Sequence, residues 1–417
     1  MSVPTLRFAE FKGEWDAQLV GSILERESKP VEVVLNQSYR QIGVRSHGRG
    51  LFHKDAVTGL ELAGKRVFHV VPNSLVINIV FAWEQALTLT TDEEVDFIAS
   101  HRFPMFLEKD GKSFLPFIRE LFLRKRGKQL LELASPGGAG RNKTLGQQNF
   151  LELKVRVPKR SEQKKIAAFL GVVDDKLSAL RARKAGLERY KRGLMQKLFS
   201  RTLRFTKPDG SAFPDWEDKR LGDVFTWHKT NSLSRENLNY EAGEVQNIHY
   251  GDIHTKFKAS FRQTEETVPF VSDGAAPKGF AKDEFCQIGD VVIADASEDY
   301  ADIGKAIEVV ELSDTPLVAG LHTYIARPRG QLVTGFSGYM LRSANMRKQI
   351  MTIAQGVSVL GISKTNLEKL RLHLPHPEEQ TLIANALQAM DAKIQAVSDQ
   401  ITRMEGFKKG LLQQMFV

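Results

Sequence analysis

The chain has 417 residues, 42% hydrophobic and 26% charged, a globular balance that excludes wholesale disorder at a length too great for one ordinary domain. Lys and Arg total 59 against 50 Asp and Glu, a net charge of +9, and the lone Cys286 excludes an intrachain disulfide and any zinc site needing two thiolates. The most apolar stretch, Val67–Trp83, is interrupted by His69, Pro72, Asn73, Ser74 and Asn78, and the first residues lack a signal peptide's apolar core, so a soluble, cytoplasmic protein with no membrane span is expected.

Taken from the N-terminus, strand signals fall at Val67–Val71 and Ser74–Val80, and a helical stretch at Leu115–Leu131. A long heptad pattern follows. Ile166, Leu170, Val173, Leu177, Leu180, Lys184, Leu187, Lys191, Leu194 and Leu198 alternate steps of four and three, with Ser161 as a candidate N-cap. A further strand signal at Asp290–Ala294 and a helix at Tyr339–Ala354 precede a second heptad run: Ile383, Leu387, Met390, Ile394, Val397, Ile401, Met404, Lys408, Leu411 and Met415. Pro377 at its first position and Glu378 and Glu379 in its first turn suit a helix start. A helix of ~38 residues makes a rod roughly 57 Å long at about 1.5 Å per residue.

The two runs are copies. Residues 158–200 align with 375–417 without a gap, at about a third identity, sharing Pro158/Pro375, Glu162/Glu379, Gln163/Gln380, Asp174/Asp391, Lys191/Lys408 and Phe199/Phe416. Trp15…Val20-Gly21 near the start resembles Trp216…Leu221-Gly222, so the chain is a tandem duplication. The expected fold is α+β (mixed α/β). It has two dissimilar globular modules, residues 1–157 and 201–374, each followed by a long coiled-coil helix, residues 158–200 and 375–417.

Catalytic chemistry is hard to find. Gly59-Leu-Glu-Leu-Ala-Gly64-Lys65-Arg66 approaches a phosphate-binding loop, but Arg66 stands where a hydroxyl must hold magnesium. Gly137-Gly138-Ala139-Gly140 lacks dinucleotide spacing and reads as a loop. Asp110-Gly111 is a turn signal, and Asp174-Asp175-Lys176 belongs to a heptad helix, so neither makes a nuclease centre. There is no Asn/Asp-Pro-Pro-aromatic tetrapeptide for adenine methylation, and the histidines, including His53 and His69, show no metal spacing. No enzyme, cofactor or metal is expected.

Two unlike modules held apart by a rigid element suit recognition of two targets at a fixed spacing. On duplex DNA, one face repeats every ~34–36 Å, within reach of such a rod. Side chains able to bond base edges and phosphates recur in loop-like contexts. The first module offers Arg45, Ser46, His47 and Arg49, then Ser100, His101 and Arg102, then Arg141, Asn142 and Lys143. The second offers Asn247, His249 and Tyr250, then His254 and Lys256, then Asp299 and Tyr300, then His322 and Thr323. Charge is uneven: Lys159–Arg204 carries 14 basic and 4 acidic residues, whereas residues 376–417 carry four basic and five acidic. Arg181, Arg183, Lys184, Arg189 and Arg192 could therefore lie under DNA or meet an acidic partner.

The doubled Pro-x-x-x-Glu-Gln-x-x-Ile-Ala signature, followed by a helix ending Lys-x-Gly-Leu-x-Gln-x-x-Phe, resembles the specificity subunit of type I restriction-modification systems. Gly43–Gly50, Phe81–Ala86, Asn247–Ile253 and Ile288–Ala294 are also similar to that family's target-recognition domains. The resemblance implies two target-recognition domains, each reading half of a split DNA sequence. It also implies antiparallel helices with pseudo-twofold symmetry that set the gap, two docked methyltransferase subunits, and restriction subunits in the full complex. A coiled-coil adaptor joining two protein-binding domains is the alternative.

Overall fold

The computed structural model describes residues 3–137, 143–276 and 278–417. It divides into two compact units, 1–181 with 399–417, and 182–398. These units differ from the four consecutive segments suggested by sequence order, because each takes a piece of both long helices, Arg160–Phe199 and Pro377–Gln414.

In the first unit, strands Leu24–Glu27, Met105–Glu108, Leu75–Ile77 and Leu87–Leu89 form an antiparallel sheet in that order. A second sheet runs Leu51–Thr58, Ser38–Val44, Phe97–Ser100, Val67–His69, its middle pair parallel. The expected helix over Leu115–Leu131 is two, Leu115–Leu123 and Lys125–Leu133, broken where Arg124 turns extended at ψ 166°. Gly127 permits the tight corner: a Cβ there would lie 2.3 Å from the Leu121 carbonyl oxygen.

The second unit has a five-stranded sheet in the order Phe225–His228, Thr323–Pro328, Val291–Ala294, Ala306–Glu311, Ser260–Arg262. A four-stranded sheet contains Gln246–Ile248 beside Leu317–Ala319. The helix read over Tyr339–Ala354 is again two, Ser337–Leu341 and Ala344–Ile353, divided by Ser343, whose side chain caps the second by accepting from the Met346 N–H.

The same frame appears twice. Asp16–Leu19 pairs antiparallel with Lys154–Val157, and Glu217–Arg220 with Arg371–Leu374, so each ribbon joins the start of its module to the strand before the helix. Glu162, 2% exposed, accepts from Arg7 Nε at 2.7 Å and Trp15 Nε1 at 3.4 Å. Glu379, fully buried, accepts from Arg204 Nε at 3.0 Å and Trp216 Nε1 at 3.0 Å. The neighbouring glutamines match too. Gln163 donates to the Pro158 carbonyl and accepts from Phe114 N–H, while Gln380 donates to the Pro375 carbonyl and accepts from Val333 N–H. The Glu-Gln signature is therefore an internal clasp between helix and module, its polar groups satisfied out of water. Ser161, read as an N-cap, lies inside the helix, which begins at Arg160.

In each unit the two helices run antiparallel. The first unit pairs Asp174 with Lys408 at 2.7 Å and Arg181 with Glu405 at 2.6 Å. The second pairs Lys191 with Asp391 at 2.5 Å and Lys184 with Ser398 at 3.2 Å. The Asp174–Lys408 and Asp391–Lys191 bridges are the same two repeat positions exchanged. Ile166, Leu170, Val173, Leu177 and Leu180 are buried, as are Leu198, Ile383, Leu387, Met390, Val397, Leu411 and Met415. Leu187, Leu194, Ile394, Ile401 and Met404 are half-buried. The heptad stripe is not purely an interhelical seam. Ile166 to Leu177 share one core cluster with Trp15, Phe117 and Phe150, and Ile383 and Leu387 share another with Trp216, Phe336 and Tyr339.

Candidate nucleic-acid interface

The first-module loop Arg45–Gly50 closes the hairpin between Ser38–Val44 and Leu51–Thr58, with Arg45 N–H donating to the Gly50 carbonyl at 3.0 Å. His47 and Gly48 both have left-handed backbones, at φ 61° and 62°. Their N–H groups donate to the carbonyls of Glu84 and Gln85, and Ser46 Oγ donates to Glu84 Oε2 at 2.8 Å. The left-handed backbone at Gly48 favours glycine, and a Cβ there would also stand 2.6 Å from the end of the Leu123 side chain. Fixing the backbone leaves the Arg45, His47 and Arg49 side chains exposed, with Arg45 resting over Phe52 at 4.8 Å.

The other first-module segments converge on the same turn, 78–86. Ile79 N–H donates to the Arg102 carbonyl, and Leu145 N–H to the Ile79 carbonyl. Lys143 lies over the Trp83 ring at 5.7 Å. Ser100 is half-buried and its hydroxyl accepts from Arg102 N–H, whereas His101 and Arg102 are exposed. Arg141 and Asn142 lie outside the described residues. Sequence reasoning missed Gln85, which donates to the carbonyls of Phe122 and Arg124 and ties the recognition loop to the helix break.

In the second module, Tyr250 is the hub. Its ring packs on His249 at 4.6 Å, His322 at 5.4 Å and His254 at 5.8 Å. His249 is 7% exposed and caps the helix Tyr250–Thr255 by accepting from Gly251 N–H at 3.0 Å. Burial, with Arg235 beside it, pushes its pKa down to about 4, so it is neutral at pH 7. Arg235 clamps Asp252 through two bonds of 2.8 and 2.9 Å, and Lys256 joins at 2.9 Å. Tyr240 OH accepts from both cations. Arg235, Tyr240 and Asp252 were not among the expected site residues, although Asp252 lies within the Asn247–Ile253 stretch that resembles the family.

His322, left-handed at φ 59°, holds Asp295 at 3.2 Å, and His254 Nε2 lies 2.9 Å from the Ala296 carbonyl oxygen. These contacts bring Asp295–Tyr300 beside Tyr250, with Asp299 and Tyr300 exposed. Besides the buried His249, two more expected contact residues are not available. Asn247 is fully buried on a strand, where its Oδ1 accepts from Asn231, and Thr323 is 2% exposed, donating to the Gly320 carbonyl. Their polarity satisfies the interior.

Among the described residues, no group of three His, Cys, Asp or Glu side chains is placed to hold a metal, and no helix is long and apolar enough to cross a membrane. The Gly59–Arg66 stretch is a short capped helix and a turn, with Gly59 packed against Val34. Two unlike modules, each bearing exposed cations and aromatics, sit on one repeated frame, so the chain is a duplicated, helix-linked protein.

Residues 78–189 and 214–404 match the type I restriction modification DNA specificity domain, so the chain belongs to that family. It is 24% identical over 276 residues to the type I restriction enzyme MjaVIII specificity subunit of Methanocaldococcus jannaschii, 63% of this chain. The chain spans 61% of that relative's length and 60% of a second from the same organism, a putative MjaX specificity subunit. The type I restriction-modification S subunit from M. genitalium shares the fold at TM-score 0.57 and 13% identity, covering 100% of this chain and 99% of that one. A chain solved in work on complex assembly and conformational transition of a type I R-M system matches at TM-score 0.58 and 17% identity, covering 96% and 97%.

Proposed function

We propose that this chain is the non-catalytic DNA-specificity subunit of a cytoplasmic type I restriction-modification complex. Each module, residues 1–157 and 201–374, reads one half of a split target. The helices set the gap and help seat two methyltransferase subunits, and restriction subunits complete the assembly. Arg45, His47, Arg49, His101, Arg102 and Lys143 are the contact set of the first module. Tyr250, His254, Lys256, Asp299, Tyr300 and His322 are that of the second. The observation that carries this reading is the pair of unlike exposed polar clusters on a duplicated frame in a chain of this family. Dissimilar readers on equivalent supports suit an asymmetric split sequence better than a symmetric adaptor.

The test is to co-express the chain with its methyltransferase subunits and sequence methylated positions in a random-sequence library. A two-part motif with a fixed gap is expected. Replacing residues 206–374 by another member's module should exchange one half and keep the gap. A contiguous motif, or change in the untouched half, would refute two independent readers, and no enriched sequence at any salt would favour the adaptor.

A further inference from the structure

Beside the first module's ribbon lies a recess of about 190 Å³ whose lining includes Arg124, Arg126, Lys154 and Arg156 and no acidic side chain. Strand alternation puts Lys154 and Arg156 on one exposed face, while Val155 and Val157 enter the core. Opposite them across the ribbon stand Leu19 and Ala17, neither able to neutralise charge. Among the described residues no acidic side chain pairs with Arg126, Lys154 or Arg156. Arg124 is held in place by donating to the Leu121 and Val417 carbonyls and lying 4.5 Å over Phe416. Burial and the neighbouring Arg126 push its pKa down to about 10, a sign that positive charge is crowded there.

The second copy gives the contrast. Asp218 occupies the ribbon position of Ala17 and binds Arg371, the counterpart of Lys154, at 2.6 Å. Glu217 likewise pairs with Lys219 at 2.8 Å. The counterpart of Lys154 is thus neutralised across its ribbon, whereas Lys154 itself faces no acid. Arg124 also lines a neighbouring cleft of about 850 Å³, which reaches His47 and Arg49 but mixes its cations with Glu120, Asp174 and Glu405. Gln85 donates to the Arg124 carbonyl and so fixes the segment beside that loop. The recess, with four cations and no acidic side chain, fits the phosphate of a polyanion better than the mixed cleft does.

We propose that this recess binds a backbone phosphate of duplex DNA flanking the half-site read by the first module. The inference rests on the DNA-reading function proposed above. It adds a contact that positions without specifying sequence, present at one module and not at the other.

The full chain, assembled with its methyltransferase subunits, would be compared with the Lys154→Gln/Arg126→Gln double variant, both positions being exposed. Binding to the split target is measured across a salt series. The slope of log K against log salt should fall in magnitude by about 0.9, the value for one lost phosphate contact, with the methylated sequence unchanged. Ala17→Asp supplies the acid that the second ribbon has and removes no cation; it should lower the slope in the same direction. An unchanged slope in both variants overturns the proposal. Weakened subunit assembly at unchanged slope also overturns it and assigns the recess to an acidic protein surface. Failure of the unaltered complex to select any split sequence would instead sink the DNA-reading function itself.

Discussion

Removing the Glu379 carboxylate tests whether the family signature is a structural clasp or a docking surface. Glu379 is fully buried and accepts two bonds from Arg204, at 3.0 and 2.8 Å, plus one from Trp216 at 3.0 Å. Glu379→Ala breaks a buried ion pair, which costs about 3–5 kcal/mol, and strands an indole N–H. Arg204 keeps its bonds to the Pro214 and Phe213 carbonyls, so the lower end, about 3 kcal/mol, is expected. Glu379→Gln retains an acceptor for Trp216 and should cost about half as much. The loss belongs to residues 182–398, whereas Glu162→Ala should loosen 1–181 with 399–417. Denaturant melts followed by tryptophan fluorescence give the size, and hydrogen exchange by mass spectrometry gives the location. Destabilisation below about 1 kcal/mol, together with lost methyltransferase assembly, would refute the clasp and make the carboxylate a docking group.

Leu177 is 4% exposed in the first core, so Leu177→Asp buries an unpaired charge and should cost at least ~3 kcal/mol in the first unit, seen as accelerated exchange there. For pH, His249 has a folded pKa of about 4, below its unfolded value, so it stabilises above ~pH 6.5 and that contribution is lost as pH falls towards 4. Buried Glu308, raised to about 7, has the opposite sign, its stabilisation being lost as pH rises through 7. His249→Asn keeps a cap acceptor and removes only the first effect, so the acid-unfolding midpoint of the second unit should move to lower pH by circular dichroism. Neutralising the exposed Arg183, Arg189 and Arg192 should reduce the salt slope of DNA binding by ~2.7 if they meet phosphates, leaving the preferred sequence unchanged.

How much was legible follows from the range of the forces involved. The two long helices could be read because a heptad stripe is a local pattern; the second begins at Pro377 as expected, and the first at Arg160, just before the residue read as its cap. Breaks at Arg124 and Ser343 were not legible: the first depends on Gly127 fitting against Leu121 and Phe122, a packing fact rather than a propensity. That Arg45–Gly50 forms a loop with exposed polar side chains was readable from its run of polar residues and glycines, and so was the exposure of Asp299 and Tyr300. Asn247 and Thr323 misled because a buried strand polar residue and a loop contact look alike in sequence. Of the Arg235–Asp252–Tyr240 network only Asp252 lay in a stretch singled out by resemblance; its pairing with Arg235 and Tyr240 is set by the fold.

The repeat invites the assumption that each helix serves its own copy, and packing contradicts it. Phe416, at the end of the second helix, stacks on Phe117 at 5.1 Å and meets Trp15 at 6.1 Å, both in the first module. Its counterpart Phe199 packs on Phe336 of the second module at 5.8 Å, and Leu198 joins that core. Each copy thus clasps the head of its own helix through glutamate and closes its core with the tail of the other. The Asp174–Lys408 and Asp391–Lys191 bridges follow the same exchange. Identity between the copies at Phe, Lys and Asp is then a requirement of reciprocal packing, because each position must fit the other copy's frame. The interiors of the modules carry no such constraint, which is why the loops that face outward share so little.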